Sequence, residues 1–198
     1  MRNKTLAILT FVLGLLQVLV ILVSWLITAT MPELPLRSLL GSEGLRWFFG
    51  QFTDNLASPV LVWMVLIGMA WGGLRQSKLW TCVLHPAKNE YRQRFSLKVV
   101  IFELIVFAIV IGLLTLMPQA ILLGVTGHLY PSSFSQSIIP ILCFVICTIS
   151  ITFGLLSASL HSLTDIFKAL SSGISSMAPW FVVYVLAAQL YYSILFVF

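Results

Sequence analysis

The stretch from Leu104 to Thr164 reads LIVFAIVIGLLTLMPQAILLGVTGHLYPSSFSQSIIPILCFVICTISITFGLLSASLHSLT and contains no Asp, Glu, Lys or Arg. As a single helix these 61 residues would be about 90 Å long, whereas the hydrocarbon core of a bilayer is roughly 30 Å thick. The stretch therefore predicts two membrane spans. Residues that interrupt helices mark the break between them, and these are Pro118, Gly124, Gly127, Pro131, Ser132, Ser133, Ser135 and Gln136.

Three further runs without charged residues lie outside this stretch, namely Thr5 to Pro32, Asn55 to Leu74 and Ala169 to Phe198. The chain is 60% hydrophobic and 9% charged, which leaves too little polar surface for a water-soluble globule. We therefore predict an all-α, polytopic membrane protein with about five transmembrane helices in a single integral membrane domain, residues 1–198. The expected spans are 6–29, 55–73, 99–116, 137–160 and 179–198.

The basic residues are distributed unevenly between the predicted loops. With the N-terminus inside, the outer side receives only Arg37 and Arg46. Because Lys and Arg near short loops are retained on the cytoplasmic side, we predict the N-terminus inside and the C-terminus outside, in the cell inner membrane. The nine inner basic residues are Arg2, Lys4, Arg75, Lys78, Lys88, Arg92, Arg94, Lys98 and Lys168.

The net charge of +5 requires no nucleic acid partner, since attraction to anionic inner-leaflet lipid accounts for it. The first apolar run is longer than the apolar region of a signal peptide, and Thr28, Ala29 and Thr30 make a poor cleavage site. We therefore interpret it as an uncleaved first span rather than a signal peptide.

Two segments are typical of helices that lie along the membrane surface. Residues 44–49 mix aromatic residues with one cation, and Ser42 is a candidate N-cap. Ser162 and Asp165 have the spacing of a capping box, using Asp where Glu or Gln is usual. They predict a short amphipathic helix, followed by a small-residue hinge at 171–176 before Pro179 begins the last span.

The sequence offers no catalytic constellation. His85, His128 and His161 fall in predicted loops or at helix ends on different sides of the membrane, so no triad or metal site is expected and the chain is not predicted to be an enzyme. Cys143 and Cys147 share a helix face, but without a third ligand they are interpreted as buried small apolar residues rather than a metal or redox pair.

A few polar and small residues inside the spans are candidates for function or packing. Glu103 is the only acid within a predicted span, and it is either an ion-coupling residue or an interfacial residue that reaches back to the headgroups. Gly68 and Gly72 form a small-xxx-small pair that favours close helix packing. Gln189 is interpreted as interhelical packing or a substrate contact, and Asn55 as a helix cap or a functional residue.

Two blocks of the sequence match the motifs of a family of membrane proteins. The first is SLLGSEGLRW at 38–47, close to S-L-L-S-x-E-G-L-R-W, and it is followed by NLASPVLV at 55–62, a degraded form of N-F-x-x-F-x-P-L-G-V-V-L. The second begins at Pro131, continues through IIP at 138–140 and DIFKAL at 165–170, and ends in SSM at 175–177 and AAQLY at 187–191. Together with a weaker stretch from Lys88 to Pro118, these blocks resemble the p-aminobenzoyl-glutamate transporter (AbgT) family.

The resemblance implies transport of a small organic anion such as p-aminobenzoyl-glutamate or an antimetabolite, coupled to sodium or protons, with no organic cofactor. It places Asn55 and Gln189 as substrate-binding residues. The chain resembles a shortened member, because the blocks that carry the family's two re-entrant hairpins have no counterpart here. We therefore expect a homo-oligomer or a partner membrane subunit. The alternative is a non-transporting remnant that serves as a membrane scaffold or partner subunit.

Overall fold

A computed structural model describes residues 2–85, 90–116 and 133–198, and within these ranges every regular element is an α-helix. Five helices are long and apolar enough to cross a membrane, so the prediction of an all-α protein with five candidate spans is confirmed. The orientation of the termini and the single-domain organisation stay predictions. The helices are α1 (Arg2–Thr30), α2 (Ser42–Gly50), α3 (Phe52–Leu56), α4 (Pro59–Ser77), α5 (Leu79–Leu84), α6 (Tyr91–Leu116), α7 (Ser133–Leu156) and α8 (Leu163–Val197).

The second span lies four residues further along the chain than predicted. It begins at Pro59, whose fixed φ suits the first turn of a helix, and Asn55 belongs instead to the short helix α3. The span ends at Ser77 because Lys78 adopts the left-handed conformation, with φ of 61°, which is common just past a helix end.

The helix α6 ends at Leu116, and α7 begins at Ser133. The markers from Pro118 to Ser132, and His128 with them, lie outside the described residues. Ser133, Ser135 and Gln136 were expected in the break but belong to the start of α7.

The fourth span ends at Leu156 rather than at residue 160. Ala158 has a positive φ of 57°, and the carbonyl oxygen of Gly154 accepts hydrogen bonds from the backbone N–H groups of Ser159 and Leu160, at 2.9 and 3.0 Å. These bonds satisfy a carbonyl at the end of the helix and turn the chain towards α8.

The predicted hinge in the last span is wrong, because α8 runs unbroken for 35 residues. The hydroxyls of Ser172 and Ser176 donate to the carbonyl oxygens of Ala169 and Gly173, at 2.8 and 2.7 Å. The serines therefore satisfy their hydrogen bonds within the helix instead of favouring a turn.

The two predicted helix caps have different outcomes. At the start of α8 the backbone N–H of Asp165 donates to Ser162 Oγ at 3.2 Å, and Asp165 Oδ2 accepts from the backbone N–H of His161 at 3.2 Å. The predicted capping serine is therefore confirmed. At α2 the prediction is wrong, because Gly41 is the N-cap in an extended conformation and Ser42 is already helical, with no side-chain cap.

The chain divides into two compact units, each described by itself. The first unit comprises residues 1–64 and 177–198, and the second comprises residues 65–176. The helices α4 and α8 contribute residues to both. Large apolar side chains are exposed along much of the lengths of α1 and α6, as expected of helices whose solvent is lipid.

In the first unit, α1 is hydrogen-bonded to α8 and to the loop at 31–41, which follows α1. Gln17 Nε2 donates to Ser193 Oγ at 2.9 Å, and Ser24 Oγ accepts from the backbone N–H of Leu39 at 3.2 Å. Leu39 is buried, and a Cβ atom at Gly44 would lie only 2.6 Å from Leu39 Cα. The loop at 31–41 is therefore held between α1 and α2, and only glycine fits at position 44.

In the second unit, apolar side chains from α5, α6 and α7 form the core. The aromatic rings of Phe107 and Phe144 pack edge to face, with centroids 6.1 Å apart. Ser159 Oγ donates to the carbonyl oxygen of Ser77 at 3.0 Å and ties the turn after α7 to the end of α4. The buried core residues are Leu79, Cys82, Val100, Val145, Ile149 and Phe153.

Candidate anion-binding site

Two buried amides meet within the first unit. Asn55 of α3 is 7% exposed and Gln189 of α8 is 4% exposed, and Asn55 Nδ2 donates to Gln189 Oε1 at 3.4 Å. Gln189 Nε2 is buried, and no acceptor among the described residues lies within hydrogen-bond distance of it. Buried polar groups are normally paired, so Gln189 Nε2 is one of the exceptions among the described residues.

A cavity of about 470 Å³ has Asn55 of this pair, but not Gln189, among the residues of its wall. Cavities of roughly 300–1,000 Å³ are typical of small-molecule sites. The wall combines a cation, an amide, aromatic rings and apolar groups, contributed by Pro35, Arg37, Trp47, Asn55, Tyr192, Leu195, Phe196, Val197 and Phe198.

Arg37 supplies the positive charge in the cavity wall. Its backbone N–H donates to the carbonyl oxygen of Val197 at 3.2 Å, which holds the loop at the end of α8. The guanidinium carbon lies 5.6 Å from the ring centroid of Phe196. Its ion pair with Glu43 is long, 3.9 Å, and both side chains are well exposed, 63% and 76%. Such a pair contributes little, so the guanidinium can exchange this contact for an anionic ligand.

Aromatic rings form another part of the wall. Trp47 of α2 stacks on Phe196 of α8 with centroids 4.4 Å apart and an interplanar angle of 19°. Tyr192 lies one turn before Phe196 and also lines the cavity. A guanidinium that can bind a carboxylate in bidentate fashion, placed beside aromatic faces that stack on planar rings, suits an aromatic carboxylate.

A hydroxyl pair holds the chain next to α3. Tyr184 Oη lies 2.6 Å from Ser58 Oγ and donates to the carbonyl oxygen of Leu56 at 3.0 Å. These bonds fix the end of α3 against α8, and they therefore help to position Asn55 beside Gln189.

The structure brings together two of the residues that the sequence suggested and leaves the third elsewhere. Asn55 and Gln189 are hydrogen-bonded partners. Glu103 belongs to the second unit, on α6, where its Oε1 accepts a hydrogen bond from Thr152 Oγ1 at 3.4 Å. Its Oε2 is buried and has no partner within the described part of the chain.

The glycine pair Gly68 and Gly72 lies against α8 within the second unit. A Cβ atom at Gly72 would lie 2.7 Å from Gly173 N, and one at Gly173 would lie 2.6 Å from Gly72 N and even closer to the carbonyl oxygen of Gly68. The two backbones therefore approach as closely as glycines allow. The sequence had suggested the first two glycines but not Gly173, which it assigned to the hinge.

Four residues of the cavity wall were not predicted from the sequence as site residues, namely Arg37, Trp47, Tyr192 and Phe196. One signal for Arg37 was present, because it is one of only two basic residues on the predicted outer side. The aromatic residues carried no such signal, since aromatic residues near span ends are common in any membrane protein.

Other candidate chemistry does not form a site. Cys82 and Cys143 are buried and Cys147 is half-buried, and none of the three forms a disulfide. Within residues 2–85, 90–116 and 133–198, no group of three His, Cys, Asp or Glu residues is placed to hold a metal ion.

Five long apolar helices and a polar cavity between helix ends define a multi-pass membrane protein with room for a small solute. A family model described as "AbgT putative transporter family" matches residues 82–195. The chain belongs to this family of membrane transporters. The match includes the second motif block, whereas the first block, 38–62, precedes it. Comparisons with curated proteins and with solved structures return no match.

Proposed function

We propose that this chain transports small aromatic carboxylates, of which p-aminobenzoyl-glutamate and antimetabolites of similar chemistry are the expected examples. The observation that carries the proposal is the cavity that Arg37 and Asn55 line together, with Asn55 hydrogen-bonded to the buried Gln189. Membership of a transporter family supports the activity, and the cavity chemistry supports the class of substrate.

In this proposal each group has a separate role. Arg37 binds the carboxylate of the substrate, and the stacked pair of Trp47 and Phe196 packs against its ring. Asn55, which is held by its hydrogen bond to Gln189, donates to a carbonyl or carboxylate oxygen of the substrate. A charged hydrogen bond contributes about 1.5–3 kcal/mol, so loss of the Arg37 charge is expected to weaken binding roughly 10- to 150-fold.

Uptake and efflux of labelled p-aminobenzoyl-glutamate test the proposal in proteoliposomes that contain only the purified chain, with and without sodium and proton gradients. We expect gradient-dependent flux that falls strongly in Gln189→Ala and Arg37→Gln. Arg92→Gln is the matched control, because Arg92 is exposed on α6 and lines neither this cavity nor the depression that Arg37 shares with Arg46. Equal losses in Arg37→Gln and Arg92→Gln would contradict the assignment of the site.

We further propose Glu103 as the ion-coupling residue. One carboxylate oxygen accepts a hydrogen bond from Thr152, and the other is buried with no partner among the described residues. Intramembrane carboxylates commonly bind coupling ions. Glu103→Gln keeps the shape of the side chain and removes the charge. We expect it to retain substrate binding and to lose the dependence of flux on the sodium or proton gradient. Unchanged gradient dependence would favour the interfacial interpretation of Glu103.

The remaining proposals concern assembly and location. We propose that the chain acts as a homo-oligomer or with a partner membrane subunit in the inner membrane, with the N-terminus inside and the C-terminus outside. Mass measurement of the detergent-solubilised chain tests the first point, and a C-terminal reporter that is active only outside the cytoplasm tests the second. Absence of flux from a well-folded chain would favour the alternative function, a non-transporting scaffold or subunit.

A further inference from the structure

Arg75 lies in the last turn of α4 between two small depressions of the second unit. One has a volume of about 170 Å³ and is lined by Trp71, Leu74, Arg75, Trp80 and Thr81. The other has a volume of about 240 Å³ and is lined by Trp71, Gly72, Arg75, Gln76, Ser172, Gly173 and Ser176. Arg75 and Trp71 therefore line both depressions.

Arg75 is exposed, and its guanidinium forms no ion pair with a carboxylate of the described residues. Two indoles line the same depression as Arg75, and both are well exposed, Trp71 to 55% and Trp80 to 61%. Exposed tryptophans at the end of a membrane span are typical of the headgroup level, where one edge of the ring is apolar and the other donates a hydrogen bond. An unpaired cation at this level requires an anion or water.

The surrounding sequence has strong charge complementarity to an anionic membrane surface. Between residues 75 and 98 the chain carries six basic residues and a single acid, Glu90. Basic segments next to a membrane span attract anionic lipid. Because the smaller depression is mainly apolar, the anion that fits the site is one with an acyl chain attached, rather than a free ion.

We propose that Arg75, Trp71 and Trp80 form a binding site for an anionic phospholipid. The guanidinium binds the lipid phosphate, and the polar side chains of Gln76 and Ser172 contact the headgroup. The first part of an acyl chain packs against the two indoles. This site is distinct from the cavity of the proposed transport site and does not depend on the proposed function.

Binding of dioleoyl-phosphatidylglycerol to the full chain in detergent micelles tests the proposal, with native mass spectrometry or tryptophan fluorescence as the readout. We expect Arg75→Gln to weaken binding at least tenfold, and Arg75→Lys to weaken it less, because it keeps the charge but loses the bidentate geometry. Lys98→Gln is the matched control, since it removes one exposed positive charge from the same basic segment but lies outside both depressions. It is expected to change the affinity less than twofold.

Three results would overturn the proposal. Equal losses in Arg75→Gln and Lys98→Gln would indicate diffuse attraction to the whole basic segment. Equal affinity for dioleoyl-phosphatidylcholine would remove the requirement for an anion. Competition by millimolar inorganic phosphate would indicate a soluble anion rather than a lipid. Size-exclusion profiles that match the wild type are required of each variant, so a loss of binding is not mistaken for a loss of fold.

Discussion

The close approach of α4 and α8 within the second unit leads to a quantitative prediction for Gly72→Ala and Gly173→Ala. A new Cβ at Gly72 would lie 2.7 and 2.8 Å from the backbone N and Cα of Gly173, and a new Cβ at Gly173 would lie 2.6 and 2.7 Å from those of Gly72. Carbon atoms in contact are about 3.5–4.0 Å apart. The helices must therefore separate by about 1 Å, because backbone atoms have no alternative rotamer to adopt.

Overpacking of this kind costs about 1–3 kcal/mol. For a chain of about 200 residues this corresponds to a decrease of about 2–12 °C in the midpoint of thermal unfolding. The two substitutions disturb the same contact, so the double variant is expected to lose less than the sum of the single losses. Scanning fluorimetry of the purified chain in one detergent measures all three midpoints.

Gly14→Ala is the matched control, because a Cβ at that position of α1 meets nothing within 4 Å. The same chemical change is then expected to leave the midpoint unchanged or to raise it slightly, since alanine favours helix over glycine. A decrease of about 2–12 °C is expected for Gly72→Ala and for Gly173→Ala. Midpoints within about 1 °C of the control would refute the close approach of the two helices.

Three further substitutions test local features of the fold by the same measurement. Lys78 is left-handed, with φ of 61°, which costs a residue with a side chain about 1 kcal/mol, so Lys78→Gly should raise the midpoint by about 2–4 °C and a decrease would contradict this. Ser162→Ala removes the acceptor used by the backbone N–H of Asp165 and should cost about 1 kcal/mol, whereas Ser162→Asn should not; equal losses would refute the cap. Tyr184→Phe removes the hydroxyl paired with Ser58 and should cost about 1–3 kcal/mol. Ser58→Ala should then cost less in that background than alone, and additive losses would refute the pair.

The span boundaries show where local patterns are sufficient and where they are not. Charge-free length located all five spans, since hydrocarbon excludes charge whatever the tertiary arrangement. The ends of the second and fourth spans depended on backbone conformations, namely the positive φ of Lys78 and of Ala158. Lysine and alanine do not favour a positive φ, so these residue types do not predict it. The serines of α8 were expected to make a hinge, but their hydroxyls bond to the preceding turn and the helix continues.

The candidate site shows the same division between local and distant information. Asn55 and Gln189 were available from motif resemblance, but residues 134 positions apart meet only when α3 and α8 pack together. Arg37 and Trp47 are exposed or half-buried residues of a loop and a short helix, and nothing in their neighbours along the chain indicates that they line one cavity with Phe196.

The sequence by itself determined that the chain is a membrane protein, how many candidate spans its described part contains, and which family it belongs to. Each of these follows from segments of the chain taken one at a time. Hydropathy and charge are properties of each segment alone, and a motif is a short run of neighbouring residues. Only the tertiary structure decided that Gly173 is the partner of Gly72, that Gln189 pairs with Asn55, and that Arg37 lies beside an aromatic stack. These facts depend on distances between segments far apart in the chain, and close packing sets such distances from all the contacting side chains at once.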